Sequence, residues 1–319
     1  MIDIQNIAGK ILGGHLITPT QAQKIESQVP TRELCDAANR IREHFMGDRI
    51  DSCSIMNARS GRCSEDCKWC SQSVHHSSDV DIYPLVSKEE ALRHALDNHS
   101  KGVGRFSLVT SGRAMHDREI DLACEMYRNI SDNCDIYMCA SMGLLTRPQL
   151  QKLKESGVGH YHCNIETAPS YFPTLCTTHT IEDKLRTIGW AKEVGLKICS
   201  GGIIGMGETV VQRLEMAFAL RDIGVVSIPV NILNPIPGTR LENTPVLTDD
   251  EILRTFAMFR LINPAAHIRF AGGRTRIGHL QERALLSGVS AALIGDLLTT
   301  VGFTVEQDKE MFARCGFRY

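Results

Sequence analysis

Glu193-Val194-Gly195-Leu196-Lys197-Ile198-Cys199-Ser200-Gly201 decides the architecture. A stretch of helical period, Ile181–Val194, stops at a glycine, the residue that takes the left-handed position just past a helix end most cheaply. A short apolar run, Lys197–Gly201, follows at once and reads as a buried strand. The same order recurs at Glu155-Ser156-Gly157, where the helical stretch Arg147–Ser156 gives way to the strand His160–Ile165. Working outward, further strands are expected at Ile50–Asn57, Arg105–Val109, Asp135–Ala140, Ser227–Ile232, His267–Ala271 and Ala291–Ile294. Amphipathic helices are expected at Ser87–Asn98, Arg118–Ile130 and Thr248–Ile262. Strands alternating with helices argue for an α/β fold, a (β/α)8 TIM-type barrel. Before it, residues 1–47 read as an N-terminal helical extension, with Leu34, Ala38, Ile41 and Phe45 at helical spacing after Thr31. Residues 48–319 are then the barrel domain with a C-terminal tail.

Composition excludes several function classes. The 319 residues carry 35 Lys+Arg against 37 Asp+Glu, so no global field draws nucleic acid or an anionic membrane. No apolar run approaches the roughly 20 residues of a membrane span. The opening Met1-Ile2-Asp3-Ile4-Gln5 has neither a basic nor an apolar leader segment. A cytoplasmic protein is expected. Its 12 cysteines then belong to a reducing compartment, as small buried residues or soft-metal ligands.

In a barrel the chemistry gathers at the C-terminal ends of strands. Just past the first strand stands Ser60-Gly61-Arg62-Cys63-Ser64-Glu65-Asp66-Cys67-Lys68-Trp69-Cys70-Ser71-Gln72-Ser73. Three close thiolates can hold three irons of a cubane cluster and leave the fourth open. A structural zinc site would want a fourth ligand, which His75 or His76 could supply. Burial as small apolar residues fits poorly with Glu65, Asp66 and Lys68 among the thiols.

This C-x3-C-x-aromatic-C loop resembles that of the radical S-adenosylmethionine superfamily, and the longer string through Gln72-Ser73 resembles the biotin synthase family. The likeness continues through Thr177-Thr178-His179-Thr180, Cys199–Thr209 and Arg269–Arg274. It implies a [4Fe–4S] cluster on Cys63, Cys67 and Cys70. Its open iron would chelate S-adenosylmethionine, and one electron would release a 5′-deoxyadenosyl radical. It places Trp69 beside the adenine, with Gly201, Ile203 and Gly205 on the adenine side. Asn164 and Glu166 match adenosyl-binding positions, and Lys184 stands where the family has Arg. Asn231, with Asn164, would also meet the substrate dethiobiotin.

Family members carry a second, sulfur-donating cluster inside the barrel. Carried over, its ligands here are Cys139, Cys199 and Arg269, but the second-strand position is Ser107. A hydroxyl is a harder, weaker iron ligand than a thiolate. The fourth strand gains Cys163, so the expected set is Cys139, Cys163 and Cys199, suited to a four-iron auxiliary cluster, with [2Fe–2S] as the alternative. Arg269 is expected as a neighbour or ligand, with the neighbour favoured because its proton is hard to remove. If Cys163 faces inward, His162 must face out. Cys35, Cys53, Cys124, Cys134, Cys176 and Cys315 are read as structural.

The implied function is radical sulfur insertion converting dethiobiotin to biotin. A reductant such as flavodoxin or ferredoxin would supply the electron, and the protein would be a homodimer. The alternatives are a sister radical enzyme of the hydrogenase-maturase or methylornithine-synthase kind, or a non-catalytic iron–sulfur or zinc protein.

Overall fold

A computed structural model describes residues 2–295 and 302–319. Its parallel strands are β1 (Asp51–Arg59), β2 (Arg105–Thr110), β3 (Tyr137–Ser141), β4 (His160–His162), β5 (Lys197–Cys199), β6 (Gly202–Ile204), β7 (Ser227–Ile232), β8 (His267–Phe270) and β9 (Ala291–Leu293). β1 pairs with both β2 and β9, so the sheet closes. β5 and β6 both lie against β7, with Cys199 opposite Ser227 and Gly202 opposite Val230. They are two halves of one barrel strand broken at Ser200-Gly201, and the nine segments make a closed eight-stranded (β/α)8 barrel. The break is steric. A Cβ on Gly201 would lie 1.9 Å from the Pro229 carbonyl oxygen, and one on Gly202 would lie 2.4 Å from that of Glu166.

The helices are α1 (Ile4–Leu12), α2 (Pro19–Gln28), α3 (Thr31–Met46), α4 (Lys88–Ser100), α5 (Asp117–Asn133), α6 (Arg147–Glu155), α7 (Ile181–Glu193), α8 (Val210–Ile223), α9 (Asp249–Ile262), α10 (Gln281–Leu285) and α11 (Val305–Arg314). Threonine starts several of them. Thr180, Thr209 and Thr248 each accept the backbone N–H three residues on, while the side chain at that position returns the bond. The three helices before β1 lie on the outside of the barrel, α3 against α9 and α2 against α8 and α9. α3 buries Leu34, Ala38 and Ile41, as its spacing requires, whereas Phe45 is only half-buried. Among the described residues no helix is long and apolar enough to cross a membrane.

A buried ion pair ties α11 to the barrel. Arg274 donates to Asp308 at 2.5 and 3.0 Å, to Gln281 at 2.8 Å and to the Leu293 carbonyl at 2.6 Å. Asp308→Asn leaves a buried guanidinium without its counter-charge, and should cost about 3–5 kcal/mol in a urea titration. Asp48→Asn, which frees the exposed Arg318, should leave the urea midpoint almost unchanged, because solvent screens that pair.

Candidate active site

The loop after β1 is held by its own backbone and by a segment more than a hundred residues away. Cys63 N–H donates to the Gln72 carbonyl at 2.9 Å, and Cys70 N–H to that of Cys67 at 3.0 Å. Gln72 Oε1 accepts the Gly61 N–H at 2.9 Å. Asp66 accepts the backbone N–H groups of Thr177 and Thr178 at 2.8 and 3.2 Å. Glu65 meets Thr178 Oγ1 at 2.9 Å and His179 Nδ1 at 2.6 Å. The loop is thereby fixed over the barrel mouth, and Cys63, Cys67 and Cys70 all line one cavity of about 340 Å³.

Trp69, Asn164, Glu166, Lys184 and Asn231 line the same cavity. Trp69 and Ile203 pack on one apolar cluster with Leu175 and Met206. Asn164 Oδ1 accepts the Gly201 N–H at 3.1 Å. The turn after β6 is locked by Glu208, whose two oxygens accept the N–H groups of Gly205 and Met206, both at 2.7 Å. Gly205 has φ 91°, open to glycine and strained for other residues.

Glu166 is a non-glycine residue at φ 70°, a strain of order 1 kcal/mol. Its backbone is pinned on both sides, its N–H to the Gly201 carbonyl at 3.0 Å and its own carbonyl from Ile203 N–H at 2.8 Å. That holds the carboxylate in the cavity. Burial pushes it above the ordinary glutamate value, and Lys184, 3.9 Å away, partly offsets the rise. Asn231 bridges the Gly202 carbonyl at 3.1 Å and the Gly272 N–H at 2.8 Å.

Deeper in the barrel the structure departs from the expected thiol set. The Cys163 sulfur lies 4.0 Å from the Lys184 carbonyl on α7, and its charged neighbours are Lys184 and Glu166. It borders the cavity beside those two residues, away from Cys139 and Cys199. The inward position is taken by His162, which sits opposite Cys199 in register and faces Arg269 and Arg105. Burial and those two cations depress His162 to about 3, so it is neutral at pH 7. Successive side chains of a strand alternate faces, so with His162 on the barrel-interior face the Cys163 sulfur turns towards α7 at the edge of the cavity.

The thiol that does meet Cys139 and Cys199 is Cys53 of β1. Cys53 adjoins Cys139, Cys199 and Arg269, and each influences the ionisation of its neighbours. The arrangement follows from barrel geometry. Side chains filling a (β/α)8 barrel form layers of four, contributed by alternate strands. Counting β5 and β6 as one, Cys53, Cys139, Cys199 and Arg269 stand on the first, third, fifth and seventh strands. Cys53 was missed because the pairing of a lost and a gained thiol was sought between the second and fourth strands. The alternate-strand rule would have found it.

Arg269 is locked in place. It donates to the carbonyls of Asp51 and Ala292 at 2.9 and 3.0 Å and to Ser227 at 3.3 Å, and it pairs with the Asp51 carboxylate. Burial alone would lower its pKa, but Asp51 outweighs it and holds the guanidinium charged. Ser107 is fully buried, and its hydroxyl has no hydrogen-bond partner.

Family models match both parts of this construction. The Radical SAM superfamily covers residues 58–220, and the Biotin and Thiamin Synthesis associated domain covers 229–318. The biotin synthase of Parabacteroides distasonis is 52% identical, over 98% of this chain and 96% of its own. That of Porphyromonas gingivalis is 50% identical, over 99% and 96%. The chain belongs to the biotin synthase family.

Among solved structures, methylornithine synthase superposes with a TM-score of 0.84 at 17% identity, covering 98% of this chain and 96% of its own. The FeFe-hydrogenase maturase from Carboxydothermus hydrogenoformans superposes with a TM-score of 0.82 at 19% identity, over 99% and 78%. At such identities the likeness speaks for the barrel alone. Family membership accounts for the cysteine loop after β1.

Proposed function

We propose that this chain inserts sulfur into dethiobiotin to form biotin, with S-adenosylmethionine as radical source and Cys53, Cys139 and Cys199 holding the sulfur-donating cluster. The observation that carries the reading is the interior layer of Cys53, Cys139, Cys199 and Arg269, of which Cys53, Cys199 and Arg269 line the same cavity as Cys63, Cys67 and Cys70. Both thiol sets suit iron–sulfur groups. Each offers three cysteines, and the orphaned Ser107 hydroxyl beside Cys139 marks a wall shaped for something other than protein. When bound, the outer [4Fe–4S] cluster supplies the electron that cleaves S-adenosylmethionine, and the inner one supplies the sulfur.

The protein's own part is positioning. Trp69 and Ile203 offer an apolar slot for a purine, and Glu166 can accept two ribose hydroxyls. Lys184 helps keep that carboxylate charged. Asn164 and Asn231 hold polar groups where the cofactor and the ureido ring of the substrate would meet. Arg269 is a charge partner of the inner cluster, because serving as a ligand would require it to lose a proton that Asp51 helps retain. Three thiolates without a nitrogen ligand favour four irons over two. A small flavodoxin or ferredoxin as electron donor, a homodimer and a reducing cytoplasm complete the reading.

Dethiobiotin deuterated at the reacting carbons should stimulate 5′-deoxyadenosine formation, pass its label to that nucleoside and yield biotin. Cleavage without label transfer would favour a sister radical enzyme. The interior thiols argue against that outcome.

A further inference from the structure

One group of metal-binding side chains adds two residues without a role so far to a cysteine of the loop. Cys67, Cys176 and His179 are all buried, and their ligand atoms lie within 4.8 Å of one another. The two sulfurs are 3.6 Å apart, and the Cys176 sulfur is 3.3 Å from Nδ1 and 3.9 Å from Nε2 of His179. A tetrahedral ion bound at about 2.3 Å to sulfur and about 2.0 Å to nitrogen needs S–S edges of about 3.8 Å and S–N edges of about 3.5 Å. The sulfur–sulfur edge is within about 0.2 Å of that size, the Cys176–Nε2 edge at 3.9 Å is slightly long, and the Cys67 and His179 ligand atoms lie within 4.8 Å, so a small closing movement forms the site. The ring is also supported as a metal ligand usually is, with Nδ1 2.6 Å from the Glu65 carboxylate, which leaves Nε2 for the ion. Glu65 is fixed in turn by Thr178 at 2.9 Å and Arg113 at 3.5 Å.

We propose that Cys67, Cys176 and His179 hold a single thiophilic divalent ion, ferrous iron in the working protein, before the outer cluster is built. Cys67 belongs to both sets, so the two loads exclude each other and the single ion is an early stage of assembly. Three protein ligands leave its fourth position open to sulfide. Two hydrosulfides then displace Cys176 and His179 while the iron stays on Cys67. Two iron–ligand bonds break, two iron–sulfide bonds form, and the hydrosulfide protons pass to the released thiolate and imidazole. The iron's oxidation state does not change.

Two measurements on the full-length, cluster-free chain under anaerobic conditions test this. In the unaltered chain loaded with one equivalent of zinc, X-ray absorption should find two sulfurs and one imidazole. A shell of three or four sulfurs without imidazole would overturn the proposal. In a chain carrying Cys63→Ser, Cys70→Ser and Cys139→Ser, one equivalent of cobalt(II) should give sulfur-to-cobalt charge transfer and intense tetrahedral bands. Adding Cys176→Ser or His179→Gln should weaken that binding at least tenfold, while adding Cys315→Ser should not. Cobalt binding indifferent to Cys176→Ser would also overturn it. Neither readout involves S-adenosylmethionine or dethiobiotin, so the result stands apart from the proposed reaction.

Discussion

Cys53→Ala should abolish biotin formation, by at least a hundredfold, while leaving S-adenosylmethionine cleavage in place. Cys53 stands in the layer with Cys139 and Cys199, and its removal leaves two thiolates to hold the inner cluster. Iron and sulfide counts on the anaerobically reconstituted variant should fall by one whole cluster. Dethiobiotin-independent 5′-deoxyadenosine should continue to appear. Cys163→Ala is the control, since its sulfur lies against α7 and its loss should leave the iron count unchanged. The reverse pattern, with iron lost from Cys163→Ala and kept by Cys53→Ala, would restore the fourth-strand thiol to the ligand set and remove Cys53 from it.

Alanine at Cys63, Cys67 or Cys70 should have the complementary effect. Each leaves two thiolates in the loop, too few to hold an open-iron cubane in reactive geometry. Reductive cleavage should drop by at least two orders of magnitude in every one of the three, with the inner iron retained. Undiminished 5′-deoxyadenosine from any of them, measured with a strong chemical reductant, would remove that residue from the site. The two sets of variants separate the two thiol groups by product as well as by metal content.

The barrel was legible because its signals are local. The two helices that end at glycine before an apolar run, α6 and α7, start where the pattern puts them and end one residue earlier. The interruption at Ser200-Gly201 left no mark in the pattern, since it answers to carbonyls of Pro229 and Glu166 on neighbouring strands. The cysteine loop could be read for the same reason as the helices, because its three thiols lie within eight consecutive residues. The inner thiols are spread over β1, β3 and β5, and what joins them is strand phase. His160 and His162 share a face, and His162 pairs with Cys199. Once that phase is known, Cys163 cannot share the face of His162 and Cys199. The roles of Glu65 and Asp66 were equally hidden, because their partners are the backbone and side chains of residues 177–179.

That last connection governs when the protein can be loaded. A chain made from its N-terminus exposes residues 63–70 early, yet the groups that grip Asp66 stand 111 and 112 positions further on. Until the fourth strand and the segment after it have left the ribosome, the three cysteines are an open peptide with ordinary thiol chemistry, unprotected from oxygen and stray metal. The window of vulnerability is set by the rate of translation, and it closes only when the far half of the barrel arrives. Iron delivery is therefore expected only after residues 177–179 have emerged, and slowing synthesis between residue 70 and that segment should raise the share of chains that never acquire their cofactor.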